Sequence, residues 1–236
     1  MFSTLFDQSW LFAAGIFALV VCAAAATLYL SGSIRYIAND KVGVVEKLWS
    51  AKGSVRNGLL ALAGEAGFQP DLLRGGFHFF APFQYRVHMH PMVAVTQGKI
   101  GYVFARDGRD LPAGQTLADN ARAADFRDVR AFLESEGQKG PQRKILREGT
   151  HIINPVMFVV MTEEATYSLS LDPNEQAYYA KMRDVLDARS AFVPVVIKED
   201  PGAHESDQLA IVTVMDGPGL PRDELLAPDV GDSHNS

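Results

Sequence analysis

LFAAGIFALVVCAAAATLYL, residues 11–30, is a run of twenty residues without a charge. At about 1.5 Å of rise per residue, a helix of that length crosses a hydrocarbon core of roughly 30 Å. The stretch therefore reads as a transmembrane helix running from Leu11 and Phe12 through Phe17 to Leu30. Trp10 and Tyr29 stand near its two ends, and amphipathic rings favour the two interfaces. A cleaved signal peptide is the rival reading, since Ala23 to Ala26 offers small residues to a peptidase. Against it, the first ten residues carry Asp7 and neither Lys nor Arg, whereas a signal opens on positive charge. A buried helix of a soluble domain is the third reading, and against it a soluble helix of this length would normally show a polar face.

The flanks set an expected orientation. Only Asp7 precedes the span, while Arg35, Lys41, Lys47, Lys52 and Arg56 follow it, and basic residues near a span stay cytoplasmic. The expectation is a short N-terminus outside and the folded bulk inside. About 205 of the 236 residues lie beyond the span, enough for one large or two small domains. The net charge is −6 and neither half is strongly basic, so a nucleic-acid surface is not indicated. Cys22 is the sole cysteine and lies inside the apolar run, which agrees with a reducing compartment.

After a polar linker at Ser31 to Ser33, Asn39 and Asp40 mark a turn, and Val42, Val44 and Val45 read as a first strand. No element is assigned over 54–68. Gly75 and Gly76 make a turn, and from Gln84 the residues Tyr85, Val87 and Met89 alternate with Arg86, His88 and His90, a strand with one half-buried face. Pro91 ends or bends it before Val93 and Val95. Phe77, Phe79, Phe80 and Phe83 have two readings, core packing or a loop that dips its rings into the membrane interface. His78, His88, His90 and His151 raise a metal hypothesis, since His88 and His90 are spaced to share one strand face. No Cys or carboxylate cluster accompanies them, and no metal site is assigned.

An internal repeat organises the second half. KIGYVFARDGRDLPAGQTLA, Lys99 to Ala118, recurs as QLAIVTVMDGPGLPRDELLA, Gln208 to Ala227, at a shift of 109. Both copies keep an apolar strand, an AspGly turn (Asp107–Gly108, Asp216–Gly217) and a LeuPro step (Leu111–Pro112, Leu220–Pro221). Such a repeat implies two related units in series. Between the copies, Asp125 is placed to cap a helix with Phe126, Val129, Phe132 and Leu133 on one face, ended by Gly137 and Gly140. Pro141 allows a second short helix over 141–148. HIINPVMFVVMTEEATYSLSL (151–171) reads as a strand interrupted at Pro155. Asp172, Pro173 and Glu175 form a helix start with a capping box, followed by an apolar stripe of Tyr178, Tyr179, Met182, Val185 and Leu186. AFVPVVI (191–197) is the next expected strand and KEDPG (198–202) a loop. The second copy breaks off without its helix, so the expectation is a fragment or a poorly ordered tail.

No nucleophile elbow, phosphate loop, HExxH or CxxC occurs. The pairs Glu163–Glu164 and Asp107–Asp110 have no partner that would make them an acid and a base, so no catalytic residue is assigned.

NDKVGVVEKLWSAKG (39–53), LLRGGFHFFAPFQYRVHMHPMVAV (72–95) and GKIGYVFARDG (98–108), after one N-terminal membrane helix, resemble a known family. It is the membrane-anchored bacterial flotillin-like branch of the stomatin, prohibitin, flotillin and HflK/C superfamily, also called SPFH or band 7. The likeness runs from Ile34 to the end and is carried most by the step from Gly75 to Pro82 and by the AspGly units. The resemblance implies an α+β fold, with a curved antiparallel sheet and packed helices behind one transmembrane helix. It also implies homo-oligomeric rings or cages that corral lipids and proteins at a bacterial inner (plasma) membrane, the folded part being cytoplasmic. Membrane lipids and NfeD-family membrane proteins are the implied partners; no catalytic residue or cofactor is implied. The family continues into a long alanine- and glutamate-rich helical region that this sequence lacks. The chain then divides into 1–10, the span 11–30, first strands and aromatic loop at 31–98, a first repeat unit at 99–207 and the start of a second at 208–236. The expected function is a self-associating scaffold of membrane microdomains. The alternative is a regulatory binding module for a membrane protease or transporter without large self-assembly. A membrane-tethered hydrolase would need a pocket with convergent polar groups.

Overall fold

The structure, a computed structural model, describes residues 3–120, 126–196, 211, 213 and 222–226. Its elements are α1 (Ser3–Leu30), β1 (Ile34–Ile37), β2 (Lys41–Lys47), β3 (Gly67–Leu73), β4 (Gly76–Phe79), β5 (Tyr85–Pro91), β6 (Val93–Val95) and β7 (Tyr102–Ala105). They continue with α2 (Val129–Glu134), β8 (Gly140–Pro141), β9 (Gly149–His151), β10 (Phe158–Met161), β11 (Thr166–Tyr167) and α3 (Pro173–Ala188). The strands pair antiparallel in four small sheets, β1–β4, β3–β2–β5, β6–β9 and β11–β10–β7–β8. The chain is α+β, with one N-terminal apolar helix. Within α1, Trp10–Leu30 is 21 residues long, apolar enough to cross a membrane, and nowhere covered by the rest of the protein.

The core forms around β10, whose residues are all buried because both faces of its sheet are covered. Register places Phe158 opposite Ala105 and Val160 opposite Val103 on one face, and Val159 opposite Phe104 and Met161 opposite Tyr102 on the other. The first face meets Phe126, Val129 and Phe132, with Phe132 edge-on to Phe158 at a centroid distance of 5.1 Å. The second meets Tyr179 of α3 and the buried Phe192. A strand covered on both sides reads as a continuous apolar run, which explains VMFVVM.

Arg106 clamps these parts together. Its side chain is 3% exposed, and its guanidinium donates to Glu175 Oε1 (2.8 Å), to the carbonyls of Pro155 (3.1 Å) and Val156 (3.2 Å), and to the carbonyl of Leu169 (2.9 Å). One charge thus joins the end of β7, the turn before β10, the chain beyond β11 and the first turn of α3. Glu175 is taken by Arg106, so the expected capping box gives way to an Asp172 cap on Asn174 N alone.

Several local expectations yield to tertiary partners. No helix forms over 141–148: Gly140–Pro141 is β8, Gln142 N donates to Val103 O, and Leu146 exchanges both backbone bonds with Gly101. The edge of β7 captures this segment, which outweighs the helix start that Pro141 offers. The cap of α2 is Asp128, accepting from Arg130 N and Ala131 N; Asp125 lies outside the described residues, and Phe126 stands before the helix at φ 58°. Residues 191–196 form no strand; Phe192 O accepts from Ile100 N, and Val195 and Val196 are exposed. On α3, Tyr179 is buried while Tyr178 and Val185 of the expected stripe face water. Pro155 does interrupt 151–171, splitting it into the end of β9, β10 and β11. In the first repeat copy, Gly108 takes φ 134° and lies so close to Gly137 O that a Cβ would collide with it. The second copy, apart from 211, 213 and 222–226, lies outside the described residues, as does the loop at 198–202.

Replacing Arg106 by Met removes the charged donor shared by Glu175 and the carbonyls of Pro155, Val156 and Leu169, of which Pro155 O keeps the Leu169 N–H, and removing one partner of a buried pair costs about 3–5 kcal/mol. Urea unfolding of the detergent-solubilised protein should show a loss of that size. A loss under about 1 kcal/mol, the scale of a surface pair, would show that Arg106 does not hold these elements together.

Candidate functional site

The chain leaves α1 through a closed joint. Gly32 adopts φ 73°, a conformation that suits glycine, and its N–H donates to Tyr29 O at 3.1 Å. Ser33 N donates to Leu28 O at 3.1 Å; together these are the paired bonds of a Schellman cap. Ser31 Oγ donates to Leu28 O (3.0 Å) and lies 2.8 Å from the hydroxyl of the buried Ser33. Ser33 O then accepts from Phe80 N at 2.8 Å, tying the helix end to the end of β4. The polar stretch 31–33, expected as a linker, is a hydrogen-bonded elbow.

The elbow feeds directly into a two-stranded ribbon. Ile34 lies opposite Phe79, Arg35 opposite His78, Tyr36 opposite Phe77 and Ile37 opposite Gly76. Opposed residues share a face and neighbours alternate, so Ile34, Tyr36, Phe77 and Phe79 form one face, and Arg35, Ile37 and His78 the other. The second face is the packed one: Ile37 is fully buried, and its Cδ1 occupies the space where a Cβ on Gly43 would be, 2.5 Å away. The aromatic face is consequently turned outward, with Tyr36 56%, Phe77 69% and Phe79 75% exposed. Tyr36 and Phe77 lie 5.0 Å apart, ring centre to ring centre. Phe83, at φ 58°, is 68% exposed, whereas Phe80 is half-buried against Tyr85. Core packing therefore fails for three of the four phenylalanines.

The histidines also depart from the alternation expected of β5. His88 and His90 pair with Val44 and Val42, whose side chains are buried, while Met89 is exposed. His88 Nε2 lies 2.8 Å from Glu46 Oε2, and His90 Nε2 2.9 Å from Ser168 O. His78 and His151 bond the carbonyls of Arg74 and Arg147. Among the described residues no group of three His, Cys, Asp or Glu side chains is gathered to hold a metal.

A cavity of about 340 Å³ opens between β7–β8 and α3, lined by Phe104, Arg106, Leu111, Lys139, Glu175 and Tyr179 among others. Arg106 and Glu175 hold each other, and Lys139 pairs with Asp110, which holds its ammonium pKa above the usual range. Burial, and then the Glu175 carboxylate, push the Tyr179 phenol up to about 12. The carboxylates considered as acid and base are separately engaged: Glu163 with Lys99, Glu164 with Thr96, and Asp107 with the backbone of Leu59 and Gly108. Neither pair is arranged around this cavity.

A scan of protein-family models gives no match to the chain, and neither a curated protein nor a solved structure matches it.

Tyr179 provides a measurable alkaline signature. A phenol ionises near about 10 in the unfolded chain, and this one is raised to about 12 in the fold. Its stabilising contribution is complete below the first value and is lost as pH rises through the second. Ultraviolet titration should show a late-ionising phenol that Tyr179→Phe removes; an unchanged titration would contradict the buried phenol.

Proposed function

We propose that the chain is a membrane-anchored, self-associating scaffold of the SPFH, or band 7, kind, organising microdomains and their proteins at a bacterial inner (plasma) membrane. The observation that carries the reading is the uncovered apolar helix Trp10–Leu30, joined by the Gly32 elbow to a folded α+β domain. An uncharged helix of that length is accommodated by a bilayer, and the elbow then holds the domain at the membrane surface.

The sequence likeness supplies the scaffold part of the proposal. Its motifs fall on structural elements: Val42–Val45 lie in the central strand of the β3–β2–β5 sheet, Gly76–Phe79 form β4, and Asp107–Gly108 turn the chain after β7. The basic residues after the span support a cytoplasmic side for the folded domain. Lys47 and Lys52 donate to the carbonyls of Gly64 and Ala63 within the domain, so Arg35, next to the elbow, is the cation best placed to act at the lipid surface. NfeD-family membrane proteins and further copies of the chain are the proposed partners.

Two populations of the protein, carrying donor and acceptor fluorophores, test this reading in the same lipid vesicles. The scaffold predicts energy transfer that rises with protein density, above the random-proximity level, with no other protein present. Transfer at the random level at every density would contradict it and favour the regulatory binding module, which associates only through a client.

A further inference from the structure

We infer that the outward face of the β1–β4 ribbon, formed by Ile34, Tyr36, Phe77 and Phe79, is a second contact with the bilayer. It is seated in the interfacial layer of the leaflet from which α1 emerges, an inference that rests on α1 being the membrane span.

Chain geometry brings the ribbon there. Ile34 is four residues beyond Leu30, and at no more than about 3.6 Å per residue it lies within about 14 Å of the helix end. Phe79 is its direct partner across the ribbon. The elbow bonds, including Phe80 N to Ser33 O, fix both strands to that end of the helix. The apolar surface is also continuous: Leu28, Tyr29 and Leu30 are exposed on the last turn of α1, and the exposed rings follow after the elbow.

The chemistry of the face selects the occupant. The rings of the core, Phe126, Phe132, Phe158 and Phe192, are at 1% exposure or less, and Trp49 and Tyr178 are exposed singly, whereas here three rings of one ribbon face stand uncovered together. The opposite face of the ribbon, through Ile37, is already packed on β2, so the rings are not waiting for a place in the core. Aromatic side chains favour the boundary between headgroups and acyl chains, and Tyr36 adds a hydroxyl suited to that level. Arg35, on the other face of the ribbon, is folded back against Gly32 and leaves the aromatic face without a charge. The domain is thereby held at two places and cannot swing about the helix end.

The full chain in phospholipid vesicles, with Cys22→Ala, tests this using spin labels at single introduced cysteines. Labels replace Phe77, Phe79, Phe17 in the span, and Tyr178 and Val195 on the exposed far surface. Labels at 77 and 79 should collide with oxygen and be shielded about tenfold from a water-soluble nickel chelate relative to those at 178 and 195. Chelate access at 77 and 79 equal to that at 195, with 17 still shielded, would overturn the ribbon contact and leave the anchor standing. Chelate access at 17 as well would overturn the span and the ribbon contact together.

Discussion

The left-handed turn at Gly32 is the constraint on which the placement of the folded domain depends. A long apolar helix ends in carbonyls without partners, and the Gly32 and Ser33 amides satisfy two of them while reversing the chain direction. A side chain at Gly32 would meet both the strain of φ 73° and the Arg35 guanidinium. Because β1 begins two residues later and its partner β4 is bonded to the elbow, the apolar helix and the first sheet are built as one piece. The aromatic face follows from this and from Gly43, whose missing Cβ lets Ile37 enter the packed side and so turns Tyr36, Phe77 and Phe79 outward.

Beyond the ribbon, the domain is held by its own charges. Arg106 satisfies carbonyls that the turn around Pro155 and the chain at Leu169 leave over, while Glu175 balances it from α3. The adjoining cavity therefore exposes groups already committed to structural partners. The surface and the anchor, rather than the interior, carry the proposed function.

What was legible in the sequence followed from patterns that need no distant partner. The uncharged run at 11–30, the Asp172–Pro173 helix start and the valines of β2 each declare a local structure, and each formed. Strand β1 was hidden because Ile34–Ile37 is short and its pairing partner lies some forty residues away. The helix start at 141–148 is not used, and the two readings of the aromatic residues stay open in the sequence, for a common reason: which side of a strand is buried, or whether a helix start is used, depends on Gly43 and Gly101 on other strands or connections. Arg106 carried no motif at all; its position after an apolar strand and before AspGly was the only signal, and it did not name Glu175 as the partner. For the candidate surface, the residues were legible and their outward orientation was not.

The elbow bonds make α1 and the folded domain one body. The direct measurement is the distance distribution, by pulsed electron resonance in vesicles, between labels at Val20 on α1 and Lys41 at the start of β2, with Cys22→Ala. A single narrow distribution is expected, broadening when Gly32 is replaced by Val. A broad distribution in the protein with Gly32 intact would contradict it, leaving the helix and the domain joined only by a flexible tether.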